Sequence, residues 1–260
     1  MAERMIDDLF SIDGKVAVVT GGSRGIGEMI ARGYVEAGAK VYISARKAEA
    51  CDETAAELSK IGECISVPAD LATEEGRTTL VDAVSNAESQ LDILVNNAGA
   101  AWGAPIEEYP ESGFDKVTSL NVKSVFFLTS AFLPLLRKGA TPDDPARVIN
   151  IGSIDGLRVP ILQNYAYSAS KAAVHMLTRH MGHHIVDENI TMNAIAPGPF
   201  PSRMTKFMFD AGEDVVASQV PLGRAGRAED VAGTAIYLAS RAGAYLTGAV
   251  IPVDGGISTR

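Results

Sequence analysis

The strongest constraint on this chain is a regular alternation of short apolar runs with longer amphipathic stretches. Val16–Thr20, Val41–Ser44, Cys64–Pro68, Leu91–Val95, Arg147–Ile151, Thr191–Ala196 and Ala249–Val253 are apolar along most of their length. Each reads as a strand covered on both faces. Between them, residues 25–37, 48–60, 73–89, 113–138, 165–187 and 228–240 repeat apolar side chains at helical spacing, as with Ile26, Met29, Ile30 and Tyr34 ahead of Gly38. Parallel strands need crossovers long enough to hold a helix, and this alternation supplies them. The expectation is an α/β fold: one parallel sheet of about seven strands with helices on both faces. No linker rich in Pro, Gly or Ser divides the 260 residues, so residues 1–260 are read as a single domain.

An apolar content of 47% excludes disorder, and a net charge of −9 disfavours a nucleic-acid partner. Cys51 and Cys64 make neither a disulfide framework nor a four-thiolate zinc site, so no metal is expected and a reducing, cytoplasmic compartment is. Met1–Lys15 carries Glu3, Asp7, Asp8 and Asp13 and lacks the basic start and apolar run of a signal peptide. No stretch reads as the roughly 20 apolar residues of a membrane helix, so no membrane insertion is expected.

Chemistry enters at Thr20-Gly-Gly-Ser-Arg-Gly-Ile-Gly27, which follows the first strand and opens the first helix. Gly21, Ser23, Arg24, Gly25, Ile26 and Gly27 form a tight turn whose backbone approaches a pyrophosphate, with a helix N-terminus behind it. The missing Gly-Lys-Ser/Thr ending excludes a nucleotide-triphosphatase loop. A dinucleotide's 2′-hydroxyl is usually held by an acid at the end of the second strand. Here that strand ends Ser44-Ala45-Arg46-Lys47. With no carboxylate to repel a 2′-phosphate, and Arg46 and Arg24 to grip it, the corner favours NADP(H) over NAD(H); a plain solvated turn is the alternative.

Tyr167 and Lys171 stand at i and i+4 of a helical pattern and so share a face. A nearby ammonium favours phenolate and is expected to lower the tyrosine pKa, making it a proton shuttle for a carbonyl oxygen. Tyr165, six residues before Lys171, does not share that face and lines the pocket or packs beside Asn164. Ser153 ends the fifth strand, where its hydroxyl meets a substrate oxygen. Its surroundings are not Gly-x-Ser-x-Gly, which argues against a hydrolase. His175, His180, His183 and His184 all follow Lys171 on one helix and read as surface or packing residues.

With these motifs in this order, the chain resembles the short-chain dehydrogenase/reductase family over essentially its whole length. The resemblance implies a Rossmann-type doubly wound sheet and an NADP-dependent oxidoreductase with Asn121, Ser153, Tyr167 and Lys171 as catalytic residues. Tyr167 is then the acid/base, Ser153 the carbonyl-orienting group, Lys171 the partner of both phenol and ribose, and Asn121 the holder of a relay water. It further implies cofactor contacts from Asp70 and Leu71, from Asn97, Ala98 and Gly99 of Asn-Asn-Ala-Gly, from Pro197 and Gly198, and from Ser202. Within the family the chain is most similar to β-ketoacyl reductases of the rhamnolipid-pathway type. That implies reduction of a 3-oxoacyl thioester of acyl carrier protein or coenzyme A. A substrate lid is expected at about 198–222, with Phe200, Met204, Phe207, Met208 and Phe209 either around an acyl chain or simply packing the lid as core, and Arg137-Lys138 as a basic patch for a carrier protein. The family also implies a homotetramer built through helices 113–138 and 165–187 and the C-terminal segment. Another carbonyl substrate (a cyclic ketone, steroid, sugar or polyol) and a non-catalytic NADP-binding regulator are the competing readings.

Overall fold

The computed structural model describes residues 5–259; Glu3, with the rest of residues 1–4 and residue 260 of the single-domain reading, lies outside the described residues. In order, α1 (Met5–Phe10), β1 (Val16–Thr20), α2 (Gly25–Glu36), β2 (Lys40–Ser44), α3 (Ala48–Leu58), β3 (Cys64–Ser66), α4 (Glu74–Ala87) and β4 (Ile93–Asn96) build the first half. The second half comprises α5 (Glu111–Thr118), α6 (Ser124–Gly139), β5 (Ala146–Ile151), α7 (Tyr165–Ile185), β6 (Ile190–Pro197), α8 (Lys206–Phe209), α9 (Glu213–Gln219), α10 (Ala228–Ala239) and β7 (Val250–Val253). All seven strands are parallel, in the order β3-β2-β1-β4-β5-β6-β7. The chain starts mid-sheet, winds outward to β3, then crosses back over β1 to β4 and winds the other way. This is the expected doubly wound sheet, and such folds bind ligands at the strand C-termini where the winding reverses, here between β1 and β4.

Successive strand residues face opposite sides, and the core divides accordingly. Val19, Ile43 and Ile93 pack under Ile30, Tyr34, Val231, Ala235 and Leu238 of α2 and α10. Val18, Leu94, Val148 and Met192 pack under Leu80, Val84, Leu128, Phe132 and Leu136 of α4 and α6. Tyr34 Oη donates to Ala235 O at 3.1 Å, tying α2 to α10.

Three elements differ from expectation. β3 stops at Ser66 rather than Pro68, because Pro68 has no N–H to give the sheet. Val67 N and Ala69 N still reach Ile43 O and Ala45 O, so the segment keeps its direction up to Asp70. The helix expected at 113–138 starts earlier and is interrupted by a π turn at Ser119–Lys123, between α5 and α6. Taken as one 29-residue helix, Glu111–Gly139 is long and apolar enough to cross a membrane, contrary to the sequence reading. Its inner face is committed to the sheet, with Val125, Leu128, Phe132, Leu135 and Leu136 buried. The lid segment carries two short helices, α8 and α9.

Candidate active site

The glycine loop is held from beneath by groups on β4 and in the two residues that follow it. Asn97 N and Ala98 N both donate to Thr20 Oγ1, at 2.9 and 3.0 Å, and that hydroxyl donates to Val95 O at 3.2 Å. Asn97 Nδ2 donates to Thr20 O at 2.8 Å and Gly21 O at 3.2 Å. The Asn97 side chain therefore braces the loop. A Cβ on Gly27 would lie 2.3 Å from Gly21 O and 2.4 Å from Asn97 Nδ2, so only glycine closes this turn. Ser23 is tied down by Thr54 Oγ1, which donates to its carbonyl at 3.1 Å. Arg24 occupies the N-cap of α2 without a side-chain capping bond, and its guanidinium is exposed. The first-turn N–H groups, Gly25 and Ile26 among them, present the positive end of α2 to an anion.

β2 ends beside this loop, since Gly21 N donates to Ser44 O at 2.7 Å. Arg46 follows, exposed, and among the described residues neither Arg46 nor Arg24 enters an ion pair. The segment leading to Asp70 runs alongside through the Ala69–Ala45 bond. The Asp70 carboxylate accepts from Ala72 N at 3.1 Å, and Leu71 is buried in the core. An uncapped helix start, two free guanidinium groups and an acid two strands away fit a phosphorylated dinucleotide.

The residues read from the sequence as catalytic gather at the end of β5 and the start of α7. Ser153 is buried after β5 and accepts from Asp155 N at 3.1 Å. Lys171 is 5% exposed, donates to Ile151 O at 2.7 Å and sits 5.5 Å from the Tyr167 ring centroid. Burial pushes the Tyr167 phenol up to about 12; a Ser153 hydrogen bond acts against this and the Asp155 charge adds to it. Burial brings Lys171 down to about 8. The sequence reading has Lys171 lowering the phenol; in the structure burial is the larger influence and works the other way.

Asn121 lies in the π turn, a backbone irregularity often found at functional sites. Its Oδ1 accepts from Ala100 N at 2.8 Å, and its Nδ2 donates to Ala100 O at 3.0 Å and Ser170 Oγ at 2.9 Å. A Cβ on Gly99 would lie 3.4 Å from Asn121 Oδ1 and 3.8 Å from Lys171 Nζ. Asn121 thus joins the loop after β4 to the helix bearing Tyr167 and Lys171. Asn121→Ala strands buried partners at about 1–3 kcal/mol each. We expect a loss of at least about 2 kcal/mol of stability in urea unfolding, with turnover falling as well.

Several residues stand elsewhere than their sequence reading implied. Phe200 is core rather than lid lining: it is 2% exposed and packed against Gly226. Met204 and Phe207 are exposed, while Met208 and Phe209 are half-buried. Arg137 is engaged by Glu188 in a two-bond pair at 2.8 and 2.9 Å, which removes half of the basic patch. His175 is buried with both ring nitrogens unpartnered, and burial brings it down to about 4. His180, His183 and His184 are exposed, and no metal-binding group of His, Cys, Asp or Glu occurs among the described residues.

Pro197 ends β6, and Gly198 N donates to Val253 O at 3.0 Å. Ser202 reaches the phosphate loop, since a Cβ on Gly25 would lie 3.2 Å from its own Cβ. Its hydroxyl pairs with Thr205 Oγ1 at 2.9 Å, and Thr205 Oγ1 donates to Phe200 O at 2.6 Å. Sequence reasoning missed both Thr20 and Thr205. A threonine at a strand end or in a lid carries no signal until its tertiary partner is known.

Residues 21–258 match the family model described as enoyl-(acyl carrier protein) reductase. The chain is also 39% identical to the short-chain dehydrogenase/reductase PhomF of Diaporthe leptostromiformis, covering 96% of this chain and 93% of that protein. It belongs to the short-chain dehydrogenase/reductase family and is an oxidoreductase. It is 53% identical over 249 residues to the rhamnolipids biosynthesis 3-oxoacyl-[acyl-carrier-protein] reductase of Pseudomonas aeruginosa, covering 95% of this chain and 97% of that one. The solved structure described as the Pseudomonas aeruginosa RhlG/NADP active-site complex aligns with a TM-score of 0.93 at 52% identity, covering 96% and 99% of the two chains.

Proposed function

We propose that this oxidoreductase reduces a 3-oxoacyl thioester to the 3-hydroxyacyl thioester with NADPH. The observation that carries the reading is the grouping of Ser153, Tyr167 and a buried Lys171 at the strand ends that also carry the glycine loop and the uncapped start of α2. The 53% identity to a 3-oxoacyl reductase supports the substrate class.

In this reading Gly21, Ser23, Gly25, Ile26 and Gly27 hold the pyrophosphate and Arg24 and Arg46 the 2′-phosphate. Asp70 and Leu71 bound the adenine; Ala98, Gly99, Pro197, Gly198 and Ser202 flank the nicotinamide half, with Asn97 bracing from below. The bound cofactor supplies the hydride that reaches the carbonyl carbon. Ser153 donates a hydrogen bond to the carbonyl oxygen and fixes its direction. Tyr167 gives its phenolic proton to that oxygen as negative charge develops there. Lys171, cationic or neutral near its shifted pKa, holds the ribose and supports the phenolate left behind. The Asn121 side chain is engaged by Ala100 and Ser170, so a relay water would rest on its main-chain carbonyl.

The unpaired part of the basic patch, Lys138, is a slight docking surface for an acidic carrier protein, so a coenzyme A thioester is the first substrate to try. Phe126 and Phe127 on α6 and Met176 on α7 are exposed, which suits the subunit contacts of a homotetramer. The free, buried Cys51 and Cys64 suit a reducing compartment such as the cytoplasm. Efficiency is expected to rise about fourfold per added methylene while the lid covers the chain, at about 0.8 kcal/mol for each. A steady-state series from short to medium 3-oxoacyl thioesters checks this. Flat or falling kcat/KM, with a polyol preferred, favours the alternative carbonyl substrates.

A further inference from the structure

The turn after Ser153 carries an acid that the proposed chemistry does not use. Asp155 N donates to Ser153 Oγ at 3.1 Å, and Asp155 Oδ2 accepts from Asn164 Nδ2 at 3.4 Å. Asn164 is the N-cap of α7 and is 8% exposed; its carbonyl accepts from Tyr167 N at 2.9 Å and Ser168 N at 3.1 Å. Hydrogen bonds thus link Ser153 to Asp155, Asp155 to Asn164 and Asn164 to the main chain of Tyr167, in series through the covalent frames of Asp155 and Asn164. The turn lies hard against α7, because a Cβ on Gly156 would come within 2.7 Å of Ala172 N and the Lys171 carbonyl carbon.

We propose that Asp155 is a positioning residue for the proton donor: through Asn164 it fixes the start of α7 that carries Tyr167, and from the Ser153 turn its negative charge acts on the phenol. This rests on the reading of Tyr167 as that donor. Burial pushes the Asp155 carboxyl up, while the Asn164 amide and the Arg158 guanidinium favour its charged form. The ionised carboxylate in turn raises Tyr167. Four other charged or titratable groups surround the pair. Arg158 lies on the same turn and acts on both Asp155 and Asp254, the latter just after β7. Lys171 and His175 face the turn from α7, and His175 stays neutral above about pH 4.

The sign follows directly. A negative charge beside Tyr167 disfavours phenolate, so removing it lowers the phenol pKa. Reduction requires the protonated phenol, and its alkaline limb must then move to lower pH. Asp155→Asn keeps the shape and the acceptor for Asn164 but removes the charge. Its limb in kcat/KM for NADPH-dependent reduction is expected to shift to lower pH. Ultraviolet titration of the phenolate, read as the difference between each variant and the same variant with Tyr167→Phe, should show the same shift without turnover. Asp155→Glu retains the charge and should keep the wild-type limb at reduced kcat, which decides the matter if the Asn variant does not fold. An unmoved limb and an unmoved phenolate titration in Asp155→Asn, or a Glu variant shifted downward, overturns the proposal. If Tyr167→Phe is itself active, the donor reading fails. If Tyr167→Phe is dead and the Asp155→Asn limb has not moved, only the role of Asp155 fails.

Discussion

Tyr167→Phe is expected to lower kcat by about 10²–10⁴-fold, the contribution of a positioned acid/base group, while fold and NADPH affinity survive. The change removes one oxygen and keeps the ring beneath Lys171 Nζ, 5.5 Å from its centroid. Tyr165→Phe is the matched control. Tyr165 is 40% exposed and packs edge-on against Tyr109 at 5.8 Å between ring centroids, so its hydroxyl is dispensable and most turnover should remain. Lys171→Ala should reduce both rate and cofactor affinity, because it also frees Ile151 O from its 2.7 Å partner. Turnover at saturating NADPH and fluorescence titration of the cofactor separate these effects. An active Tyr167→Phe beside a dead Tyr165→Phe would remove the proposed donor.

Arg46→Asp is expected to cost NADPH at least about tenfold in kcat/KM, since a charge-assisted contact of about 1.5–3 kcal/mol gives way to repulsion. NADH efficiency should change little. Arg46 is exposed and without an ion pair, so the substitution breaks no bond of the protein's own. Steady-state kinetics with both cofactors measures the ratio directly. An unchanged NADPH/NADH ratio places the 2′-phosphate away from this corner and leaves Arg24 as the next candidate.

The fold was legible because buried parallel strands and the helices between them differ in period and in composition. The glycine loop and the Tyr167–Lys171 pair were legible because their chemistry is local: one needs a strand, a turn and a helix in sequence, the other a single helical turn. What the sequence concealed depends on tertiary partners. Asn96 Nδ2 donates to Asn150 Oδ1 at 2.9 Å across β4 and β5, and Asn150 Nδ2 donates to Thr178 Oγ1 on α7 at 2.9 Å. This buried polar line supports the site from below, and nothing local marks it. A helix-bending core asparagine at 121 was one reading open from the sequence; the π turn itself was not legible, as its residues keep the helical apolar pattern on either side. The Tyr167 pKa was misjudged because charge pairing can be read from spacing but desolvation cannot. For Phe200 the sequence left lid lining and core packing open, and its place under Gly226 decides for core.

The central claim is that these residues carry out NADPH-dependent reduction of a 3-oxoacyl thioester. The most direct test is to mix the wild-type protein with NADPH and a medium-chain 3-oxoacyl coenzyme A, then measure cofactor consumed and product formed in the same reaction. The account predicts one 3-hydroxyacyl thioester per NADPH oxidised, with neither change in the Tyr167→Phe variant. Thioester hydrolysis without NADPH consumption, or no turnover of the 3-oxoacyl thioester under conditions where a polyol or steroid substrate is turned over, would contradict it.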